Sequence, residues 1–251
     1  MTDAASVWQL AATPSNQQLA EFARVIGWHH EAMPPTWPIC LLPDSEAVTE
    51  LTAQCRHDGK LPVHAVQSFR YKRPMQHGAP VTGEVKLSLR PARATIRLAL
   101  ADASGPFCEA NSTIVLADRL PPRPTTAVDP TDATAALAKL ETPALDEALF
   151  RAYQDASGDS NPIHHDPAAA ASLGLAAPIA PGMLVLGMMS AFAADRLDSP
   201  APAALDAMFL SPVLAGTTLT FTLHPPAAPG RYKLTAASPD GVTCVQATLT
   251  V

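Results

Sequence analysis

Hydrophobic and polar positions along the chain fall into two similar successions. From Ser15 to Trp28, Leu19, Phe22, Ala23 and Ile26 recur at helical spacing, and Ser15 after Pro14 is a good N-cap, so the pattern predicts a helix there. Met33 to Pro43 is proline-rich and reads as an ordered loop. Strand-like runs follow at Val63–Arg73, Val81–Arg90, Ala94–Ala101 and Phe107–Ala117; Ile96, Leu98 and Leu100 alternate on one face of the third. Asp102 to Gly105 has turn chemistry between two of these strands. After Leu120 the order repeats. A helix over Leu145–Asp155 leads to a loop at Ser157–Asp166. A long apolar helix follows from Met183 to near Arg196, and then strands at Ala207–Pro212, Thr217–His224, Tyr232–Ala237 and Val242–Val251.

Two anchors support a duplication. Pro74 precedes Gly78 as Pro212 precedes Gly216, and each pair leads into an alternating strand. Upstream, Phe22–Trp28 aligns with Tyr153–Asp159. The two anchors differ in offset, 138 against 131, so an insertion or deletion separates them. Each copy reads as a long helix wrapped by a curved antiparallel sheet, an α+β plan. The expected division is an N-terminal unit at 1–118, a Pro/Ala/Thr-rich linker at 119–144 with a short helix near Ala133–Leu140, and a C-terminal unit at 145–251.

Composition narrows the function. A hydrophobic share of 47% with 16% charged residues is that of an ordinary globular protein. The formal net charge of -6 argues against a nucleic-acid partner. Arg56, Lys60, Arg70, Lys72, Arg73, Lys86, Arg90, Arg93 and Arg97 hold 9 of the 17 basic residues; they form a solvated strand face or a surface for a carrier's phosphates. Cys40, Cys55, Cys108 and Cys244 make no metal-binding spacing, so no structural metal is expected, and they fit a reducing cytoplasm. No apolar run is long enough to span a membrane, and the N-terminus lacks a signal-peptide pattern.

The informative segment is Tyr153-Gln-Asp-Ala-Ser-Gly-Asp159-Ser-Asn161-Pro-Ile-His164-His-Asp166. Ser157-Gly158 stops a helix, and Asn161-Pro162 forces an extended or turned backbone. Asp159 and His164 therefore share an irregular loop that can turn a carboxylate and an imidazole toward one point, a pair suited to proton transfer. Asn161 braces the loop or meets substrate, and Asp166 before Pro167 is an N-cap. Pro178-Ile-Ala-Pro-Gly182-Met183 opens the apolar helix; Gly182 there can bring a backbone N–H close to a substrate carbonyl. Ser157 has no elbow motif and is no acyl nucleophile.

These two segments together resemble the hydratase motif of MaoC-like (R)-specific enoyl-thioester hydratases. The resemblance implies a double hotdog fold in which Asp159 and His164 are the catalytic pair, Gly182 gives the oxyanion-hole amide and Ser190 lies near the active site. It implies reversible hydration of a 2-enoyl thioester of coenzyme A or acyl carrier protein, a reaction that requires no metal or other cofactor; a double hotdog already buries the interface of a single one, so monomer and homodimer both fit. The family often has His before that glycine; here Pro181 stands there, so any role of that histidine is lost. In the first copy Trp28 and Met33 stand where the second has Asp159 and His164, so that copy lacks the pair. Trp28, Met33 and Trp37 then line the acyl pocket or simply pack. A silent acyl-thioester binder and a hotdog thioesterase are the rival functions.

Overall fold

In a computed structural model, which describes residues 5–75, 78–120 and 136–251, local signals set most element ends. Helix α1 (Asn16–Ile26) starts with a full capping box between Ser15 and Gln18. It ends at Gly27, whose φ of 73° lies in the left-handed region that glycine tolerates. Helix α3 (Glu147–Ser157) is capped by Asp146 and ends at Gly158 in the same way. Helix α4 (Pro167–Ser172) is capped by Asp166, as expected. Helix α5 (Gly182–Leu197) is buried on nearly every side, which explains its apolar composition all round.

Three elements depart from the sequence reading. Strand β1 (Ala5–Ala12) and helix α2 (Glu46–Asp58) escape it. The buried stripe of α2 is only Ala47, Leu51 and Cys55, too thin to stand out by periodicity. Strand β6 (Ala138–Glu141) runs where the end of a short helix was expected, because its backbone pairs with a strand far along the chain. The rest of the expected linker, 121–135, and the start of that helix lie outside the described residues.

The other strands are β2 (Leu61–Tyr71), β3 (Val81–Arg90), β4 (Arg93–Asp102), β5 (Gly105–Ala117), β7 (Ala204–Phe209), β8 (Thr220–Leu223), β9 (Arg231–Ala237) and β10 (Thr243–Thr250). They form one antiparallel sheet in the order β1-β3-β4-β5-β2-β7-β10-β9-β8-β6. Outward from the middle, β2, β5, β4, β3 and β1 mirror β7, β10, β9, β8 and β6. The middle pair joins Val66 to Met208 and Phe69 to Leu205, so the halves are fused through main-chain hydrogen bonds. This is a double hotdog. Helix α5 packs on β8, β9 and β10, and α2 packs on β1, β2 and β3. Helices α1 and α3 meet across the junction, with Phe22 and Tyr153 rings 5.9 Å apart.

Candidate active site

After Gly158 the chain turns sharply. The Asp159 amide donates to Ser157 Oγ at 3.2 Å, and the Asn161 amide donates to Asp159 Oδ1 at 3.3 Å. Asn161 Oδ1 accepts from the Ile163 amide and opens a single 3₁₀ turn, Pro162–His164. Asn161 thus braces the loop, and it also lines the cavity described next. The turn carries His164 back toward Asp159: His164 Nε2 lies 3.8 Å from Asp159 Oδ2.

The tautomer of His164 follows from its other nitrogen. Nδ1 lies 2.8 Å from the Ile179 carbonyl oxygen, which can only accept, so Nδ1 carries hydrogen. Burial pushes the His164 pKa down, while the Asp159 charge and the Ile179 carbonyl pull it up. In the neutral ring Nε2 offers a lone pair to the side where Asp159 offers carboxylate oxygens. Two acceptors at this separation are both satisfied by one water molecule donating a hydrogen to each.

Both side chains open into a cavity of about 540 Å³. Helix α5 enters its wall at Gly182 and Met183. Leu184 and Val185 donate back to the Pro181 carbonyl, and the Gly182 and Met183 amides, first in the helix, have no acceptor within it. A Cβ at 182 would stand 2.8 Å from Phe209 Cδ1, so only glycine fits under that ring. The deeper wall comes from the other half of the chain: Leu42, Val48, Leu51, Ile96 and Ile114. No Lys or Arg is among the described residues that line the cavity.

With this geometry in view, the comparisons with known proteins are consistent. The family model described as "MaoC like domain" matches residues 121–225, and the one described as "FAS1-like, dehydratase domain region" matches 18–90. The MaoC-like match thus covers the half of the chain that holds Asp159, His164 and Gly182. A MaoC-like dehydratase from Phytophthora capsici superposes with a TM-score of 0.75 at 18% identity, over 99% of this chain and 95% of that one. HtdX from Mycobacterium tuberculosis gives 0.72 at 20%, over 96% and 99%. The 12:0-ACP thioesterase from Umbellularia californica gives 0.61 at 9%, over 97% and 96%. At these identities the likeness establishes the fold. No curated protein matches the sequence.

Of the residues expected in the site, Asp159, His164, Asn161 and Gly182 come together on the cavity. Ser190 does not: it is buried inside α5, its hydroxyl donates to the Gly187 carbonyl at 2.7 Å, and it is not among the lining residues. Trp28, Met33 and Trp37 do not line this cavity either. Trp28 is buried and donates through Nε1 to the Ala32 carbonyl, and the other two face a different hollow. Four of the nine clustered basic residues are ion-paired. Arg70 pairs with Asp206, Lys72 with Glu109, Lys60 with Asp118 and Arg73 with Asp102.

His64, on β2, was missed as a site residue. Its ring edges the cavity and packs on Phe209, with centroids 4.8 Å apart. Its Nε2 is buried and has no hydrogen-bond partner among the described residues. Burial pushes its pKa down to about 4, against the pull of Gln67, Val66 and Asp159. Gln67, fully buried, accepts from the Ser112 hydroxyl at 2.6 Å, so a polar seam runs behind this wall. Periodicity cannot reveal His64, since it reaches the site only through the β2–β7 pairing.

Proposed function

We propose that this protein catalyses the reversible hydration of a 2-enoyl thioester to a (3R)-3-hydroxyacyl thioester, with the two halves contributing one active site between them. The observation that carries this reading is the pair of acceptors, Asp159 Oδ2 and His164 Nε2, 3.8 Å apart on the wall of a cavity that the α5 N-terminus enters and that no Lys or Arg lines among the described residues.

The thioester carbonyl accepts a hydrogen bond from the Gly182 amide, where the helix end favours negative charge. The acyl tail lies against Leu42, Leu51 and Ile114. Water held by Asp159 and His164 loses a proton to one of them as its oxygen bonds to the β-carbon. The electrons of the double bond move to the α-carbon and carbonyl oxygen, and a proton returned from the same pair to the α-carbon completes the addition. Dehydration runs the same steps backward. Positioned acid–base groups of this kind contribute roughly 10²–10⁴-fold in rate. The substrate carrier is coenzyme A or acyl carrier protein, and the division into an N-terminal pocket-forming unit and a C-terminal unit with the acid–base loop belongs to the same proposal.

The test is the loss of enoyl absorbance when the purified chain is given crotonyl-CoA. Asp159→Asn and His164→Gln should each lower kcat by about 10²-fold or more with unchanged circular dichroism. Near-normal turnover by both variants rejects the assignment. Release of free thiol from a saturated acyl-CoA would favour the thioesterase reading instead.

A further inference from the structure

The pseudo-two-fold axis between β2 and β7 makes a second prediction about cavities: whatever lines the Asp159 cavity has a mate on the other side. The structure contains a hollow in that place, of about 260 Å³. With the offset of 138 between Pro74 and Pro212, Phe209–Val213 corresponds to Tyr71–Met75, and Pro62–His64 corresponds to Pro200–Pro202. All of these residues line their respective cavities. The strand next to the middle agrees: β5 and β10 take up matching registers, which brings Phe107 into the second cavity where Cys244 stands in the first. His164 is matched by Met33, which lines the second cavity.

The mate has lost the reactive groups and kept the apolar walls. Trp28 and Met33 replace the carboxylate and imidazole. The N-terminus of α2, the counterpart of α5, does not enter it: α2 begins at Glu46, which is not among the described lining residues. The proline-rich loop, through Pro34, Pro35, Trp37 and Pro38, fills part of the space and accounts for the smaller volume. The polar side chains on its wall are engaged within the protein. The Tyr71 hydroxyl donates to the Pro35 carbonyl, Lys72 pairs with Glu109, and Arg73 is held by both Asp102 oxygens and the Gly105 carbonyl. What is left for a ligand is carbon: Met33, Trp37, Met75 and Phe107.

We propose that this second cavity is a non-catalytic binding site for a short saturated hydrocarbon group. Its ligand is a free alcohol or acid, or the acyl tail of a thioester; the shared chemistry is the alkyl chain. The proposal rests on the symmetry of the sheet and stands whether or not Asp159 and His164 perform hydration.

Xenon, which enters dry apolar cavities, is the first probe. Crystals under xenon pressure should show the gas beside Met33 and Phe107 as well as in the Asp159 cavity. Calorimetry with 1-hexanol and with hexanoyl-CoA, which is saturated and cannot be hydrated, then separates the two sources. Two equivalents of hexanoyl-CoA identify a thioester tail. Two of hexanol against one of hexanoyl-CoA identify a free lipid. Ala203→Phe, which places a ring in the second cavity, should remove one equivalent and the adjacent xenon and leave crotonyl-CoA turnover unchanged. Absence of xenon from the wild-type pocket overturns the proposal, as does identical stoichiometry in wild type and a folded Ala203→Phe. If that variant does not fold, the wild-type xenon result decides alone.

Discussion

Replacing Gly182 by alanine tests packing and chemistry at once. The added methyl would lie 2.8 and 2.9 Å from Phe209 Cδ1 and Cε1 and 3.3 Å from Cγ. Carbon atoms settle at about 3.5–4.0 Å, so the ring or the helix end must give way by roughly 1 Å. The ring cannot retreat freely, because His64 packs against it. Overpacking of this kind costs about 1–3 kcal/mol. The better helix propensity of alanine returns up to about 1 kcal/mol, less at the first helical position. A net loss of roughly 1–2 kcal/mol lowers Tm by about 2–8 °C in a chain of this length. The rate should suffer more, because displacing an oriented catalytic amide by 1 Å costs on the order of 10²-fold. Differential scanning calorimetry and crotonyl-CoA hydration give the two readouts, and Gly182→Ala combined with Phe209→Leu should restore Tm. An unchanged Tm refutes the packing argument. A lowered Tm with wild-type kcat/KM refutes the placement of the thioester carbonyl at this amide.

Three other outcomes follow from the same geometry. Asp159→Asn and His164→Gln should each depress kcat with little effect on Tm, since neither side chain holds the core together; calorimetry beside the kinetic assay checks this. His64 is neutral in the fold and ordinarily titrates at 6.5, so below that pH the unfolded chain takes up a proton that the native chain refuses. Stability should therefore fall by roughly 3 kcal/mol between pH 6.5 and about 4. His64→Leu should flatten that part of the profile in urea titrations, and parallel profiles would reject the buried neutral state. Arg73→Met removes the guanidinium that reaches both Asp102 oxygens and the Gly105 carbonyl and should lower Tm, whereas adding Asp102→Asn should recover part of the loss; calorimetry of the single and double variants checks this.

Much of the architecture can be read locally. Ser15, Asp146 and Asp166 announce helix starts, and Gly27 and Gly158 announce helix ends, through hydrogen bonds and backbone angles that involve only near neighbours. Alternation in Ala94–Ala101 marks a strand with one face inward. The loop that holds Asp159 and His164 is likewise local, since Gly158, Asn161 and Pro162 dictate its path within a few residues. The Pro–Gly anchors even betray the duplication. Short strands such as β6, by contrast, owe their form to a partner remote in sequence, and the four residues Ala138–Glu141 are too few for their alternation to declare a strand.

The amino-acid order by itself determined the capped helices and the loop that holds Asp159 and His164, because those depend on contacts within a turn or two, and it carries the repeat in its Pro–Gly anchors. Only the folded chain decided that β2 and β7 lie side by side, and with that pairing came His64 beside Phe209, the apolar wall facing Asp159, and a mirrored hollow at Met33. Pairing between distant strands is chosen by total burial and hydrogen bonding of the whole sheet, a quantity no short window of residues contains.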